Sequence, residues 1–352
     1  MNAILNNEKA LHAIRRVNQA IDDIKQGKMV VMVDDEDREN EGDLVYASSF
    51  STPEKVNFMA SHAKGLICVA VSKAIASRLK LEPMVSKNDS SYETAFTISV
   101  DAKSATTGIS AGERDMTIKI LAEPTSMSCE LVRPGHIFPL IAKDGGTLVR
   151  IGHTEGSVDL CSLSGLPTSA VICEIIKEDG TMARRPDLDI FCRKHDINMV
   201  YISDIVEYRM MKESLIKLTH ESTETFMECS VKKYMFEDHL SRQHTAYLFG
   251  EPSEYCAVKF HNSMLDNELL ANTKKYNHLL KSIAYLNAHG GVLIFMSSSD
   301  AQNMSQVREY GIGAQIIKYF GIDKIELLSD SEIKEFIGIH GFELEVAKFV
   351  RL

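Results

Sequence analysis

Met29-Val30-Val31-Met32-Val33 runs directly into Asp34–Asp43, DDEDRENEGD. Five consecutive apolar residues rich in valine read as a buried strand. Seven of the next ten residues are carboxylates, with Arg38 and Gly42 among them. The acidic run therefore falls at the carboxyl end of a core strand, where α/β proteins place ligand sites. Seven like charges in ten residues repel one another unless cations or hydrogen-bond donors offset them. A hard divalent ion would do so through one or two carboxylates plus water and substrate oxygens. Acidic runs are also the ordinary makeup of solvated loops, and this spacing is not that of an EF-hand. Direct abutment on a strand, and an arginine suited to phosphate or carboxylate, favour a ligand site.

Outward from that point, helices and strands alternate. Leu11, Ile14, Val17, Ile21 and Ile24 recur at helical spacing, and Gly27 stops the helix. Ser51-Thr52-Pro53-Glu54 starts a helix running to about Gly65. Leu66–Ser72 reads as a strand, Ala74–Leu79 as a short helix, and Ser90–Ser104 as a polar, strand-like stretch. Thr106–Arg114 is a small-residue turn opening a helix through Ala122; its first N–H groups suit a phosphate or plain Ser/Thr capping. Arg133-Pro134-Gly135-His136 predicts a turn before a strand at Ile137–Ala142, with another strand at Thr147–Ile151. Gly152–Gly156 opens a helix at Ser157–Leu163, and Ala170–Ile176 is a strand followed by a hairpin-type turn at Asp179-Gly180. Pro186–His195 is a helix, Asn198–Ile202 a strand and Ser203–Met211 a helix. The alternation is not strict βαβ, so the expected class is α/β (α+β layered), a mixed sheet flanked by helices.

The composition turns polar and charged at Lys212–Glu228, which predicts two domains, 1–211 and 220–352. The second reads as a smaller α/β domain. Its elements are short strand-like segments to Phe260, a helix at Thr273–Ala288 and a strand at Val292–Met296. A helix at Ser305–Phe320, a strand at Lys324–Leu328, a helix near Ile333 and a last strand at Phe342–Val350 follow. A chain of 352 residues is long enough for two cores. A net charge of −10 argues against nucleic acid or an anionic membrane surface as the main partner. A small anionic substrate would need local positive charge from Arg38, Arg114, Arg133 or Arg150. No apolar run is long enough to span a bilayer. The seven cysteines are scattered without a CxxC pair, as expected of reduced thiols in a cytoplasmic protein.

Three polar residues stand in or beside apolar runs: His136 after Pro-Gly, His153 before a helix start, and Glu174 inside AVICEII. A buried carboxylate must be paired, ligated or neutral. Each alone is more economically a satisfied structural group. Together with the acidic run and the arginines they make a site.

These strings resemble 3,4-dihydroxy-2-butanone-4-phosphate synthase of riboflavin biosynthesis over roughly Ala10–Arg209. The motifs are VDDEDRENEGDL (Val33–Leu44), GLIC (Gly65–Cys68), TGIS (Thr107–Ser110) and RPGHIFPL (Arg133–Leu140). RIGHTE (Arg150–Glu155), CE (Cys173, Glu174) and DGTMAR (Asp179–Arg184) complete them. The resemblance implies conversion of D-ribulose 5-phosphate into 3,4-dihydroxy-2-butanone 4-phosphate plus formate, with Mg2+, or Mn2+ in its place. It implies Glu39 and His153 as metal ligands, and His136, Glu174 and Glu41 as the acid/base residues. Substrate contacts fall on Arg38, Glu39, Asp43, Cys68, Thr107, Arg150, Gly152, His153, Thr154 and Glu174. It further implies a homodimer with the active site at the interface. TGIS here continues GERDMTI where the family has a pattern like ADRATTI, so Gly112, Glu113, Asp115 and Met116 depart from it, with a small effect on affinity expected.

The second half resembles GTP cyclohydrolase II at REYGIGAQIIKYFGI (Arg308–Ile322), GFELEV (Gly341–Val346), QHTAYLFG (Gln243–Gly250) and VKFHNSML (Val258–Leu265). That family uses three zinc cysteines. Met264 stands at the first position, and Asn262–Leu352 contains no cysteine. Arg308 matches the catalytic arginine, but Gln306 replaces the aspartate before it. Without thiolates there is no tetrahedral zinc to activate water, so no zinc and no GTP hydrolysis are expected. The alternatives are a bifunctional enzyme, or a nucleotide- or partner-binding module.

Overall fold

The structure, a computed structural model of the chain, describes residues 2–35, 38–90, 92, 94–253, 255–297, 306–329 and 344–352, the side chains of 2–10 and 306–311 excepted. It divides into two compact units, Leu11–Tyr208 and Arg209–Leu352 with Met1–Ala10.

In chain order the first elements are α1 (Asn2–Lys25), β1 (Val30–Val33), β2 (Gly42–Ala47), α2 (Pro53–Phe58), β3 (Cys68–Val71), α3 (Lys73–Leu79) and β4 (Val100–Ala102). Then come α4 (Ala111–Ala122), β5 (Leu131–Ile141), α5 (His153–Leu163), β6 (Ser169–Glu174), α6 (Arg185–His195), β7 (Asn198–Tyr201) and α7 (Ile202–Lys212). The seven strands form one mixed sheet in the order β4-β5-β3-β6-β2-β1-β7. β1 is buried along its whole length, as its apolar run demands. It pairs parallel with β7 and antiparallel with β2, so the acidic run is the connection between two neighbouring strands. β2 was hidden in the sequence because it begins inside the acidic run, yet all six of its residues are buried.

Alternate residues serve two cores. Val31, Leu44, Tyr46, Val69 and Val171 pack with Met59 and Leu121 on one face. Val30, Met32, Val45, Ala70 and Ile172 pack with Ile24, Leu160 and Ile205 on the other. Helices therefore cover both faces. Thr52 caps α2 by accepting from Lys55 N, with Pro53 at the first turn, as that tetrapeptide predicts.

Three local expectations are corrected. Thr147–Ile151 is not a strand: Gly146–Leu148 make a 3-10 turn, entered through Gly145 and Gly146 at φ +88° and +60°. The buried Asp159 carboxylate accepts from Thr147 N and Oγ1 and holds that turn. Arg133–His136 is not a turn but lies inside β5. Gly135 lets the strand press against β4, where a Cβ would sit 2.1 Å from the Val100 carbonyl carbon. The helix expected at Ser157 starts four residues earlier, at His153.

The second unit carries β8 (Ile216–Phe226), β9 (Cys229–Asp238), β10 (Gln243–Phe249), β11 (Tyr255–Asn262), α8 (Asp266–Ala271), α9 (Thr273–His289), β12 (Gly291–Met296), α10 (Gln306–Tyr319), β13 (Lys324–Leu328) and β14 (Glu345–Val350). Its mixed sheet has the order β14-β13-β11-β12-β10-β9-β8. Most of the polar stretch Lys212–Glu228 is the edge strand β8, whose residues alternate between partly and fully exposed. Its polarity comes from a wet edge rather than from missing structure. The helix expected near Ile333 lies outside the described residues. Among the described residues no helix is long and apolar enough to cross a membrane.

Candidate active site

The acidic loop is folded around Asp34, which is buried at the end of β1. Its Oδ2 accepts from Arg38 Nη1 at 2.8 Å and Glu39 N at 3.1 Å, and its Oδ1 from Glu41 N at 2.8 Å. Three donors on one carboxylate offset the repulsion that the sequence implies. Arg38 Nη2 lies 3.0 Å from Glu39 Oε1. From outside the loop, Arg184 Nη1 donates to the carbonyls of Glu39 and Asn40.

His153, the first residue of α5, is buried beside the loop. Its Nδ1 lies 3.8 Å from Glu39 Oε2 and its Nε2 3.9 Å from Asp43 Oδ1. Both His153 Nε2 and Asp43 Oδ1 are buried with no hydrogen-bond partner among the described residues. Burial pushes the imidazole down to about 4, against the pull of Asp34 and a hydrogen bond to the Met32 backbone. At neutral pH it is uncharged, the form that ligates metals. Asp34, Glu39 and His153 each offer an atom within 4.8 Å of the others. Asp34 already spends its oxygens on three donors, so Glu39, His153 and the bare oxygen of Asp43 are the groups left to a cation. An imidazole nitrogen with hard carboxylate oxygens fits a divalent ion such as magnesium or manganese.

Asp43 and Glu174 are direct cross-strand partners between β2 and β6, so their side chains share a face. Burial, then the charge of Glu174, raises Asp43 well above the usual carboxylate range. Burial likewise raises Glu174, while Leu66 N at 2.8 Å from its Oε2 favours its ionised form. Burial and then Glu39 raise Glu41. Two adjacent carboxyls with raised affinity for protons are suited to proton transfer. Cys68 on β3 is buried nearby, and burial holds it as a neutral thiol.

Arg150 Nη1 meets the buried Glu155 at 2.5 Å, and Nη2 donates to Tyr92 O and Thr94 Oγ1. The guanidinium occupies space that a side chain at Gly152 would fill, 2.3 Å from the position of a Cβ. Gly152 caps α5 without a side-chain bond, leaving the first N–H groups, including that of Thr154, for an anion.

Two site residues fall elsewhere. His136 on β5 donates its N–H to Asp101 Oδ1 at 2.9 Å, and its Nδ1 lies 2.8 Å from Oδ2. β6 and β3 lie between β2 and β5, which separates His136 from Asp43 by about 14 Å at ordinary strand spacing. Thr107 belongs with this second group: its neighbour Gly108, at φ +78°, packs on Asp101. The turn leading into α4, offered to a phosphate, is occupied by the chain itself. Glu113 accepts from the N–H groups of Thr106, Thr107 and Gly108 and from the hydroxyls of Thr106, Thr107 and Ser110. Those bonds, Thr106's first, hold its carboxyl down to about 2.

Asp34, Asp101, Glu155 and Arg184 were not singled out by sequence. Asp34, Glu155 and Arg184 carried a signal only as members of VDDEDRENEGDL, RIGHTE and DGTMAR, and Asp101 lies in none of the motifs. In the second unit, Met264 follows β11, and the side chains of Gln306 and Arg308 lie outside the described residues.

Fold and site define a mixed-sheet α/β enzyme with a carboxylate–histidine centre. Residues 18–208 match the family model of 3,4-dihydroxy-2-butanone 4-phosphate synthase, and residues 298–351 match that of GTP cyclohydrolase II. A 3,4-dihydroxy-2-butanone 4-phosphate synthase from Sulfurospirillum multivorans is 72% identical over 348 residues, 99% of this chain and 98% of that one. The riboflavin biosynthesis protein RibBA of Bacillus cereus is 40% identical over 370 residues, 96% of this chain and 93% of that one. Among solved structures, RibBX, a two-domain synthase of the same name from A. baumannii, superposes with a TM-score of 0.80 at 38% identity, covering 95% of this chain and 99% of that one. A synthase in complex with two magnesium ions matches with a TM-score of 0.54 at 37% identity, over 56% of this chain and 97% of that one. The chain belongs to the 3,4-dihydroxy-2-butanone 4-phosphate synthase family of riboflavin biosynthesis.

Proposed function

We propose that the chain converts D-ribulose 5-phosphate into 3,4-dihydroxy-2-butanone 4-phosphate and formate with Mg2+ or Mn2+ held by Glu39 and His153. The observation that carries this is the facing pair of buried, unpartnered atoms, His153 Nε2 and Asp43 Oδ1, beside Glu39. The related synthase with two magnesium ions supports the choice of cation. When bound, such an ion polarises carbonyl and hydroxyl oxygens and stabilises enediolate charge.

The protein's own groups do the rest. Arg150, oriented by Glu155, and the open start of α5 at Gly152, His153 and Thr154 bind the phosphate. Arg38, fixed by Asp34, orients the sugar hydroxyls. Asp43 and Glu174 exchange a proton with the substrate carbons and oxygens, and Glu41, its proton affinity raised by burial, lies beside them. Cys68 lines the cavity as an uncharged thiol. His136, its ring held by Asp101, is the remaining acid/base group.

His136 lies three strand spacings from Asp43, with Thr107 beside its Asp101 partner, and a homodimer that brings the partner's copy of them to the site reconciles this with the resemblance. Residues 1–211 supply the synthase, in a cytoplasm that keeps the seven free cysteines reduced. The domain from 220 onward, lacking the cysteines of GTP cyclohydrolase II, does not hydrolyse GTP. The test is formate release from ribulose 5-phosphate and magnesium, with Glu39→Ala as the blank. Release by the wild type and none by the variant is expected. No release by the wild type, or equal release by both, refutes the assignment.

A further inference from the structure

We infer that Arg184 is a positioning residue that sets the affinity for the divalent cation by fixing the backbone of Glu39. This rests on Glu39 being a cation ligand, as proposed above.

The acidic loop is held from two sides. Asp34 gathers its inner N–H groups, and Arg184 holds two of its carbonyls from outside. Those of Glu39 and Asn40 both accept from Arg184 Nη1, at 2.6 Å and 2.5 Å. The same Nη1 lies 3.7 Å from Glu41 Oε1. Asn40 stands at φ +54°, a left-handed conformation that a non-glycine residue keeps only when its surroundings impose it. Two successive carbonyls converging on one donor are such an imposition. They fix the peptide planes on both sides of the Asn40 Cα, and the first of these carbonyls is bonded directly to the Cα that carries the Glu39 side chain.

The arginine is itself anchored. Its N–H donates to Asp187 Oδ2 at 3.0 Å, and its carbonyl accepts from Asp187 N and Leu188 N. Leu188, one turn into α6, lies where a Cβ on Gly42 would fall, 2.5 Å from its Cδ1. The first turn of α6 thus grips the loop at its crest through Arg184 and at its exit through Leu188. The capping of α6 runs through Asp187 and the Arg184 backbone, so truncating the Arg184 side chain leaves the helix start intact. What it removes is the restraint on Glu39. A charge-assisted bond to the main chain of a metal ligand belongs to the outer shell whose loss costs affinity for the ion.

The experiment is a titration of the full-length protein with Mn2+, following free Mn2+ by electron paramagnetic resonance. Wild type, Glu39→Ala, Arg184→Ala and Arg184→Lys are compared, together with the melting temperature of each without metal. Wild type is expected to bind and Glu39→Ala not to. Arg184→Ala is expected to bind about ten- to hundredfold more weakly, with its metal-free melting temperature close to wild type. Arg184→Lys, which keeps the charge on a different head group, falls between. If Arg184→Ala does not fold, Arg184→Lys decides: weaker binding supports the inference and wild-type affinity overturns it. Wild-type affinity in a folded Arg184→Ala overturns it while the cation reading stands. Absence of binding by the wild type overturns both.

Discussion

Gly65 is a position where one methyl group would press on a site residue's main chain. A Cβ built there lies 2.4 Å from the carbonyl oxygen of Glu174, 2.6 Å from its Oε2 and 2.8 Å from its N. Two of those three atoms are main chain of β6 and cannot rotate aside. Gly65→Ala therefore pushes the end of β6 away from β3 and in doing so breaks the bonds from Gly65 N to Glu174 O (3.1 Å) and from Leu66 N to Glu174 Oε2 (2.8 Å). Overpacking costs about 1–3 kcal/mol and each lost hydrogen bond about 1 kcal/mol, so the sum is about 3–5 kcal/mol. For a unit of this size that lowers the melting temperature by about 6–20 °C. Gly112→Ala is the matched control. Nothing lies within 4 Å of its Cβ and its φ is ordinary, so in α4 the same methyl group adds about 0.5–1 kcal/mol. Thermal unfolding of both variants, with formate release measured alongside, is the assay. Gly65→Ala should melt early and lose turnover as Glu174 is displaced, while Gly112→Ala should melt slightly late with turnover intact. A Gly65→Ala protein that melts with the wild type and turns over normally would refute the packing argument.

Two further outcomes follow from the electrostatics and the second unit. Glu113 has its carboxyl held down to about 2 in the fold, below its ordinary range, so its stabilising charge is fully present above about pH 4.5 and is lost as pH falls toward 2. The melting-temperature gap between wild type and Glu113→Gln should accordingly be widest above pH 5 and shrink at lower pH; an equal gap at pH 3 and pH 7 contradicts this. Given zinc and GTP, the full chain should release no formate above a protein-free blank, since Met264 stands at a thiolate position; release above the blank would reverse the reading of the second unit.

Legibility varied along the chain for identifiable reasons. β1 and α1 declared themselves because period and apolarity are local properties. β2 did not, since Gly42 and Asp43 open it inside a run of acids, and their burial depends on β6 across the ladder. Thr147–Ile151 looked like a strand by composition, but two glycines with positive φ and a distant aspartate, Asp159, made it a turn. The turn before α4 looked open to a phosphate, yet Glu113, five to seven residues on from the N–H groups it binds, folds back into it.

By itself the sequence determined the mixed α/β class, the acidic run at a strand end, the family motifs, and the absence of cysteine from Asn262–Leu352. Residue type, local period and motif order carry all of these. Only the tertiary structure decided which charges meet: Asp34 as the loop's inner anchor, Arg184 as its outer one, His153 facing Asp43, and Asp101 behind His136. Those pairs are separated by 35 to 145 residues or by a tight turn. Their distances are fixed by strand order and helix packing, which no local pattern encodes.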